Sequence, residues 1–119
     1  MALRKALQRL STPVSELDRQ RLRDFAASHP GVTLITDVAP RTVATVVGEI
    51  SSVRIVPRAG SPSLEATVSD GTGSLAAVWT GRRRIAGITP GRRLMLRGRG
   101  APTGPGGHLL VFNPDYELL

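Results

Sequence analysis

Arg82, Arg83, Arg84, Arg92, Arg93, Arg97 and Arg99 place seven guanidinium groups within eighteen residues, and no acid falls between Gly81 and Gly100. Arginine is permanently charged, and its planar fork of donors matches phosphate oxygens. The run therefore suits a rim that holds a phosphate backbone. Arg54 and Arg58, upstream, extend the same set. Over the whole chain, 16 basic residues against 9 acidic ones give a net charge of +7. That charge is unevenly spread. Residues 41–100 hold ten arginines against Glu49, Glu65 and Asp70, a net of +7, whereas residues 1–40 carry +2 and residues 101–119 carry −2. The bland explanation is a solvated basic surface in an arginine-rich composition, since 15 of the 16 basic residues are Arg beside abundant Ala, Gly, Val and Pro. Concentration on one segment favours an acidic partner instead, nucleic acid first.

Other chemistries find little support. The chain has no cysteine, which excludes disulfides, thiolate metal sites and cysteine nucleophiles. His29 and His108 are too few for a metal site without acidic company, and no cofactor is expected. The Ser and Thr residues have no evident His and Asp partners, so the protein is not expected to be an enzyme. Asp70-Gly71-Thr72-Gly73 has the look of a phosphate loop, but no P-loop lysine follows it and no calcium-loop acids surround it. A hairpin turn is the better reading. No apolar run approaches the roughly 20 residues of a membrane-spanning helix, and the start lacks a signal-peptide pattern. A cytoplasmic protein with no membrane partner is the expectation.

The elements that must position the arginines change character near residue 41. At 119 residues the chain has the length of one ordinary domain. Residues 1–40 read as a helical appendage. Leu3, Leu7 and Leu10 have helical spacing, and a second helix starts at the capping sequence Ser15-Glu16-Leu17-Asp18. Leu17, Leu22, Phe25 and Ala26 form its narrow apolar stripe, His29-Pro30-Gly31 stops it, and Val32–Ile35 is a short extended link or strand.

From Thr42 the period becomes 2 and the vocabulary Val, Ile and Thr. Val46, Gly48 and Ile50 face one way, but Val53 and Ile55 are out of phase with them, so a bulge near Ser51-Ser52 is predicted, with Gly48 permitting a bend. A long, bent first strand can pair on both sides of a small barrel. Leu64, Ala66 and Val68 mark a second strand, Asp70-Gly71 a turn, and Leu75, Ala77 and Trp79 a third with Trp79 in the core. The opposite face, Glu65, Thr67, Ser69, Ala76 and Val78, is expected to be exposed and lacks aromatics. Residues Arg82–Ile88 have room for a short helical turn, Leu94 and Leu96 lie in a fourth strand, and His108–Phe112 is a fifth, closed by Asn113-Pro114. The fold class is thus an all-β, five-stranded Greek-key barrel over residues 41–119, with N-terminal helices.

Three segments carry a family resemblance: Val46-Val47-Gly48-Glu49-Ile50-Ser51-Ser52-Val53-Arg54, Leu64 to Leu75 through Asp70-Gly71-Thr72-Gly73, and Ile88-Thr89-Pro90-Gly91 to Gly98. Together they resemble OB-fold nucleic-acid-binding domains of the anticodon-binding and RecG-wedge type. The ending Asn113-Pro114-Asp115-Tyr116-Glu117 is similar to the segment that closes such wedge domains. The whole chain also resembles small actinobacterial OB-fold proteins. The resemblance covers residues 42–117. It implies binding of single-stranded or branched DNA first and RNA second, while the charge distribution assigns the contacts to Arg54, Arg58, Arg82, Arg83, Arg84, Arg92, Arg93, Arg97 and Arg99, with little sequence specificity. Family members that grip single strands usually stack bases on aromatic side chains, which the exposed face here lacks. The rival reading is a protein-interaction module that assembles with itself or a partner through the N-terminal helices.

Overall fold

The structure, a computed structural model, describes residues 16–119. Leu3, Leu7, Leu10 and the capping Ser15 lie outside the described residues. Helix α1 covers residues 16–27 and is followed by six strands: β1 Val43–Ile55, β2 Ser63–Ser69, β3 Ser74–Thr80, β4 Arg93–Ala101, β5 Leu110–Phe112 and β6 Asp115–Leu118. Among the described residues no helix is long and apolar enough to cross a membrane.

β1 is long because it serves two neighbours. Val43–Glu49 pair antiparallel with β4 and Glu49–Ile55 with β2, so the sheet order β1-β2-β3-β5-β4-β6 closes on itself through β1–β4. The change of partner needs Gly48, where a Cβ would stand 2.6 Å from the Ser69 carbonyl oxygen and 2.7 Å from Val68 Cγ1. The predicted bulge is present between Ile50 and Ser52. It returns Val53 to the core side, while Ile55 ends exposed. The β2–β3 hairpin turns at Asp70–Gly73, where Gly71 has a φ of +85° that favours glycine. Val46, Ile50, Leu64, Val68, Leu75, Leu94 and Leu96 fill the interior. Trp79 joins them, packed edge-to-face on Tyr116 at 5.6 Å between ring centroids.

Several expectations are corrected. The connection between β3 and β4 contains no helix. Gly87 at φ +84° and Thr89-Pro90-Gly91 break any helical run, leaving a turn in which Ile88 N–H bonds Ile85 O at 3.1 Å while both isoleucines are buried. The fifth strand is only Leu110–Phe112, pairing parallel with β3 and antiparallel with β4. Asn113-Pro114 ends β5 as expected, but the chain does not leave the sheet there. Asn113 adopts φ +49° and turns the chain into a sixth strand, β6, antiparallel to β4. Glu65, Ala76 and Val78 are buried rather than exposed.

In α1, Ala26 is buried and Leu22 and Phe25 are half-buried, but Leu17 is exposed and leaves the predicted stripe. The helix stops as its sequence indicates, with Gly31 at φ +79°. Beyond it, Thr33 N–H bonds Thr45 O at 2.8 Å, and a 3-10 turn over Ile35–Asp37 puts Ile35 into the core. Asp70 anchors this link. Fully buried, it accepts Ile35 N–H (2.8 Å) on Oδ2, and Thr72 N–H (2.9 Å) and the Thr72 hydroxyl (2.6 Å) on Oδ1.

Candidate nucleic-acid interface

The strand register places Arg54, Glu65, Val78 and Phe112 side by side across β1, β2, β3 and β5 on the outer face of the sheet. Arg54 Nη2 donates to Glu65 Oε1 at 3.3 Å, and Arg58 Nη2, in the β1–β2 loop, lies 3.7 Å from Glu65 Oε2. The Glu65 side chain is only 7% exposed, against 71% for Arg54. A carboxylate so enclosed is tolerated because two cations offset its lost hydration. The other side of Arg58 covers the Phe112 ring, 5.5 Å from the centroid, a cation–π contact. Thr67, Thr103 and His108 complete a cleft of about 370 Å³ beside these groups. Phe112, an exposed aromatic on this face, escapes the sequence reading. Its one signal is that Val111, its neighbour, takes the inward position.

Arg82, Arg83, Arg84 and Arg92 lie on the β3–β4 connection and are all exposed. The connection is pinned at both ends. Gly81 N–H bonds Pro62 O at 2.8 Å, beside the β1–β2 loop. Gly91 N–H bonds Ile50 O at 2.8 Å, and Ile50 N–H bonds Arg92 O at 2.9 Å, near the other end of β2. Arg82–Arg84 therefore lie toward Arg58, whereas Arg92 lies toward the helix. Among the described residues none of these four makes an ion pair within 4.0 Å.

Alternation along β4 points Arg93, Met95, Arg97 and Arg99 outward, since Leu94 and Leu96 point in. Arg93 is engaged: its Nε lies 3.7 Å from Glu49 Oε1 and its Cζ 4.4 Å from the Phe25 ring centroid. It thereby joins α1 to the sheet. Arg99 Nη1 donates to the Arg41 carbonyl at 2.7 Å, an oxygen turned toward it where Arg41 adopts φ +64°. Arg97 is exposed and faces Asp115 of β6 in register, lining a shallow cleft of about 250 Å³ with Thr45, Met95, Tyr116 and Glu117.

The nine arginines are thus not one continuous rim. Arg54 and Arg58 are held by Glu65, Arg93 by Glu49 and Phe25, and Arg99 by a backbone carbonyl. Arg82, Arg83, Arg84, Arg92 and Arg97 extend into solvent. The histidines are spent locally: His29 Nδ1 sits 2.8 Å from Phe25 O, and His108 Nδ1 sits 3.4 Å from Ser74 Oγ. Among the described residues no group of three or more His, Cys, Asp or Glu is placed to hold a metal ion.

No family model and no curated protein matches the chain. Among solved structures, it is similar to part of RecG bound to a three-way DNA junction, with a TM-score of 0.61 and 19% sequence identity over 72% of this chain. The match spans 12% of the RecG chain. At that identity the likeness concerns the fold.

Proposed function

We propose that the closed sheet is an OB-type barrel and that the protein is a non-enzymatic nucleic-acid-binding module that holds backbone phosphates with little sequence preference. The strand order supports the first part: a first strand shared between the second and fourth, with the fifth between the third and fourth, is the five-stranded Greek-key arrangement. β6 adds one strand outside that set. The observation that carries the binding role is the β3–β4 connection, on which Arg82, Arg83, Arg84 and Arg92 stand exposed with no carboxylate within 4.0 Å among the described residues. Exposed guanidiniums without carboxylate partners contact phosphates without reading bases. The similar portion of RecG makes single-stranded or branched DNA the first ligand to try, with RNA second.

One observation favours a protein-interaction module instead. The face of β2, β3 and β5 is occupied by a buried carboxylate, Glu65, which repels phosphate and neutralises the two arginines nearest to it.

Fluorescence anisotropy with labelled single-stranded DNA, branched DNA, duplex DNA and RNA across a salt series separates the two. Phosphate binding gives a log affinity that falls with log salt by about 0.7–0.9 per contacted phosphate. Absence of binding near 50 mM salt, or affinity indifferent to salt, rejects the proposal.

A further inference from the structure

A second basic site lies where α1 crosses the β2–β3 turn. The packing there is close. Gly71 is seated directly on the helix backbone at Arg19 and on the Arg23 side chain, where a Cβ would stand 3.0 Å from Arg23 Cγ. Between them opens a cleft of about 480 Å³ lined by Arg19 and Arg23 on one wall and by Ser69, Thr72, Ser74 and the two turn glycines on the other.

The chemistry of this cleft is one-sided. None of its lining residues is acidic. Arg23 is half-buried, and its Nε is enclosed with no hydrogen-bond acceptor among the described residues. An enclosed N–H of a charged group without an acceptor is a standing cost, and it marks a guanidinium held against the protein by packing and not by a carboxylate. Residues 1–15 contain no Asp or Glu that could serve it. Arg19 pairs with Glu16 at 3.3 Å, but both side chains are about 60% exposed, so that pair is weak and screened by salt. Asp70 stands next to the turn, yet its two oxygens face inward to Ile35 N–H and to Thr72. On the turn wall, Ser69 Oγ accepts Gly71 N–H at 3.3 Å and has no acceptor for its own hydroxyl among the described residues.

Two guanidiniums, a serine donor and a glycine turn that lets backbone come close form a receptor for a tetrahedral oxyanion. We infer that this cleft binds a phosphate group through Arg23, Arg19 and Ser69. The group is either free phosphate or a backbone phosphate of a nucleic acid. None of these residues belongs to the arginine set on the β3–β4 connection, so the inference stands apart from the function proposed above.

The test is a two-dimensional 15N NMR titration of the full chain with sodium phosphate, against sodium chloride at matched ionic strength. The expected result is saturable shifts of the Gly71 and Gly73 amides and of the Arg23 Nε–Hε signal with phosphate alone. Arg23→Gln should weaken the response about tenfold, the loss of one charge-assisted bond. Because Arg23 also packs on Gly71, Arg19→Gln provides the second variant. Its side chain is 61% exposed, so it should leave the fold intact and weaken phosphate severalfold. A single-stranded oligonucleotide added in place of phosphate distinguishes the sources: shifts at the same amides assign the site to backbone phosphate, and still amides assign it to free phosphate. Equal, non-saturating shifts with phosphate and chloride overturn the inference, as does full phosphate binding by a folded Arg23→Gln variant. An oligonucleotide that fails to bind anywhere removes the function proposed above and leaves the phosphate result to be judged alone.

Discussion

Glu65 Oε2 lies 3.7 Å from Arg58 Nη2 inside a side-chain environment only 7% exposed, yet among the described residues no donor hydrogen-bonds that oxygen. The carboxylate takes up the positive charge of the β1–β2 loop without being fully satisfied itself. Its position decides how much of the basic surface is free for a ligand. Glu65→Gln removes the negative charge and releases Arg54 and Arg58. Oligonucleotide affinity is expected to rise, with a salt slope steeper by about 0.7 for each added phosphate contact. An unchanged affinity and slope in anisotropy would show that this face does not meet the ligand.

Asp70 holds the N-terminal link and the hairpin turn with one side chain, since Ile35 N–H, Thr72 N–H and the Thr72 hydroxyl all converge on it. Asp70→Ala strands Ile35 N–H in a buried place. Each such group costs about 1–3 kcal/mol, so the thermal midpoint should drop by several degrees. The measurement is thermal unfolding followed by fluorescence of Trp79, the only tryptophan and a buried one. A midpoint equal to wild type would mean that the link is not held by this residue.

The architecture was largely legible where local pattern and tertiary position agree. Ile50 and Val53 are one position out of phase, and that mismatch alone locates the bulge that the register shows. Trp79 shares its phase with Leu75 and Ala77 and is buried with them. What could not be read is what non-local pairing determines. Glu65 alternates outward as a polar strand residue should, and only the parallel pairing of β3 with β5, which brings in Phe112, together with Arg58 from the loop, covers it. The sixth strand was hidden because Asn113-Pro114 has the composition of a stop, whereas Asn113 accepts Thr80 N–H at 3.0 Å and redirects the chain along β4. The arginines looked continuous in sequence, but their connection runs between two ends of the sheet, with Ile85 and Ile88 in the core.

Gly48 sits where β1 exchanges β4 for β2, and its α-carbon approaches β2 too closely for any side chain. Gly48→Ala forces Ser69 carbonyl or Val68 to move, an overpacking cost of about 1–3 kcal/mol. Chemical denaturation should show a lower midpoint with an unchanged m-value. Gly31, where a Cβ would meet nothing within 4 Å among the described residues, makes the contrasting control: Gly31→Ala is strained by its φ of +79°, a penalty of about 1–2 kcal/mol with no displacement of β2. Two-dimensional NMR separates them, because Gly48→Ala alone should shift the amides around Val68 and Ser69. Undisturbed Val68 and Ser69 signals in a folded Gly48→Ala would mean that the strands do not approach as described.

The arginines of β4 and of the β3–β4 connection differ in what they already touch, and that difference predicts opposite phenotypes. Arg82 and Arg83 are exposed, with no ion pair among the described residues. Replacing both by Glu should leave the thermal midpoint where it is, within the small range usual for surface substitutions. Their loss is expected in binding, where the salt slope should shrink by about 1.4–1.8 as two phosphate contacts disappear. Arg93 lies against Glu49 and over Phe25, so Arg93→Glu sets two carboxylates together and uncovers the ring where α1 meets the sheet. Its midpoint should fall, and part of any binding defect would follow from loosening of α1. Measuring both variants by Trp79 fluorescence and by anisotropy in the same salt series separates contact from support. If Arg82→Glu/Arg83→Glu binds as wild type does, phosphate is held elsewhere and the exposed Arg97 on β4 becomes the next residue to reverse.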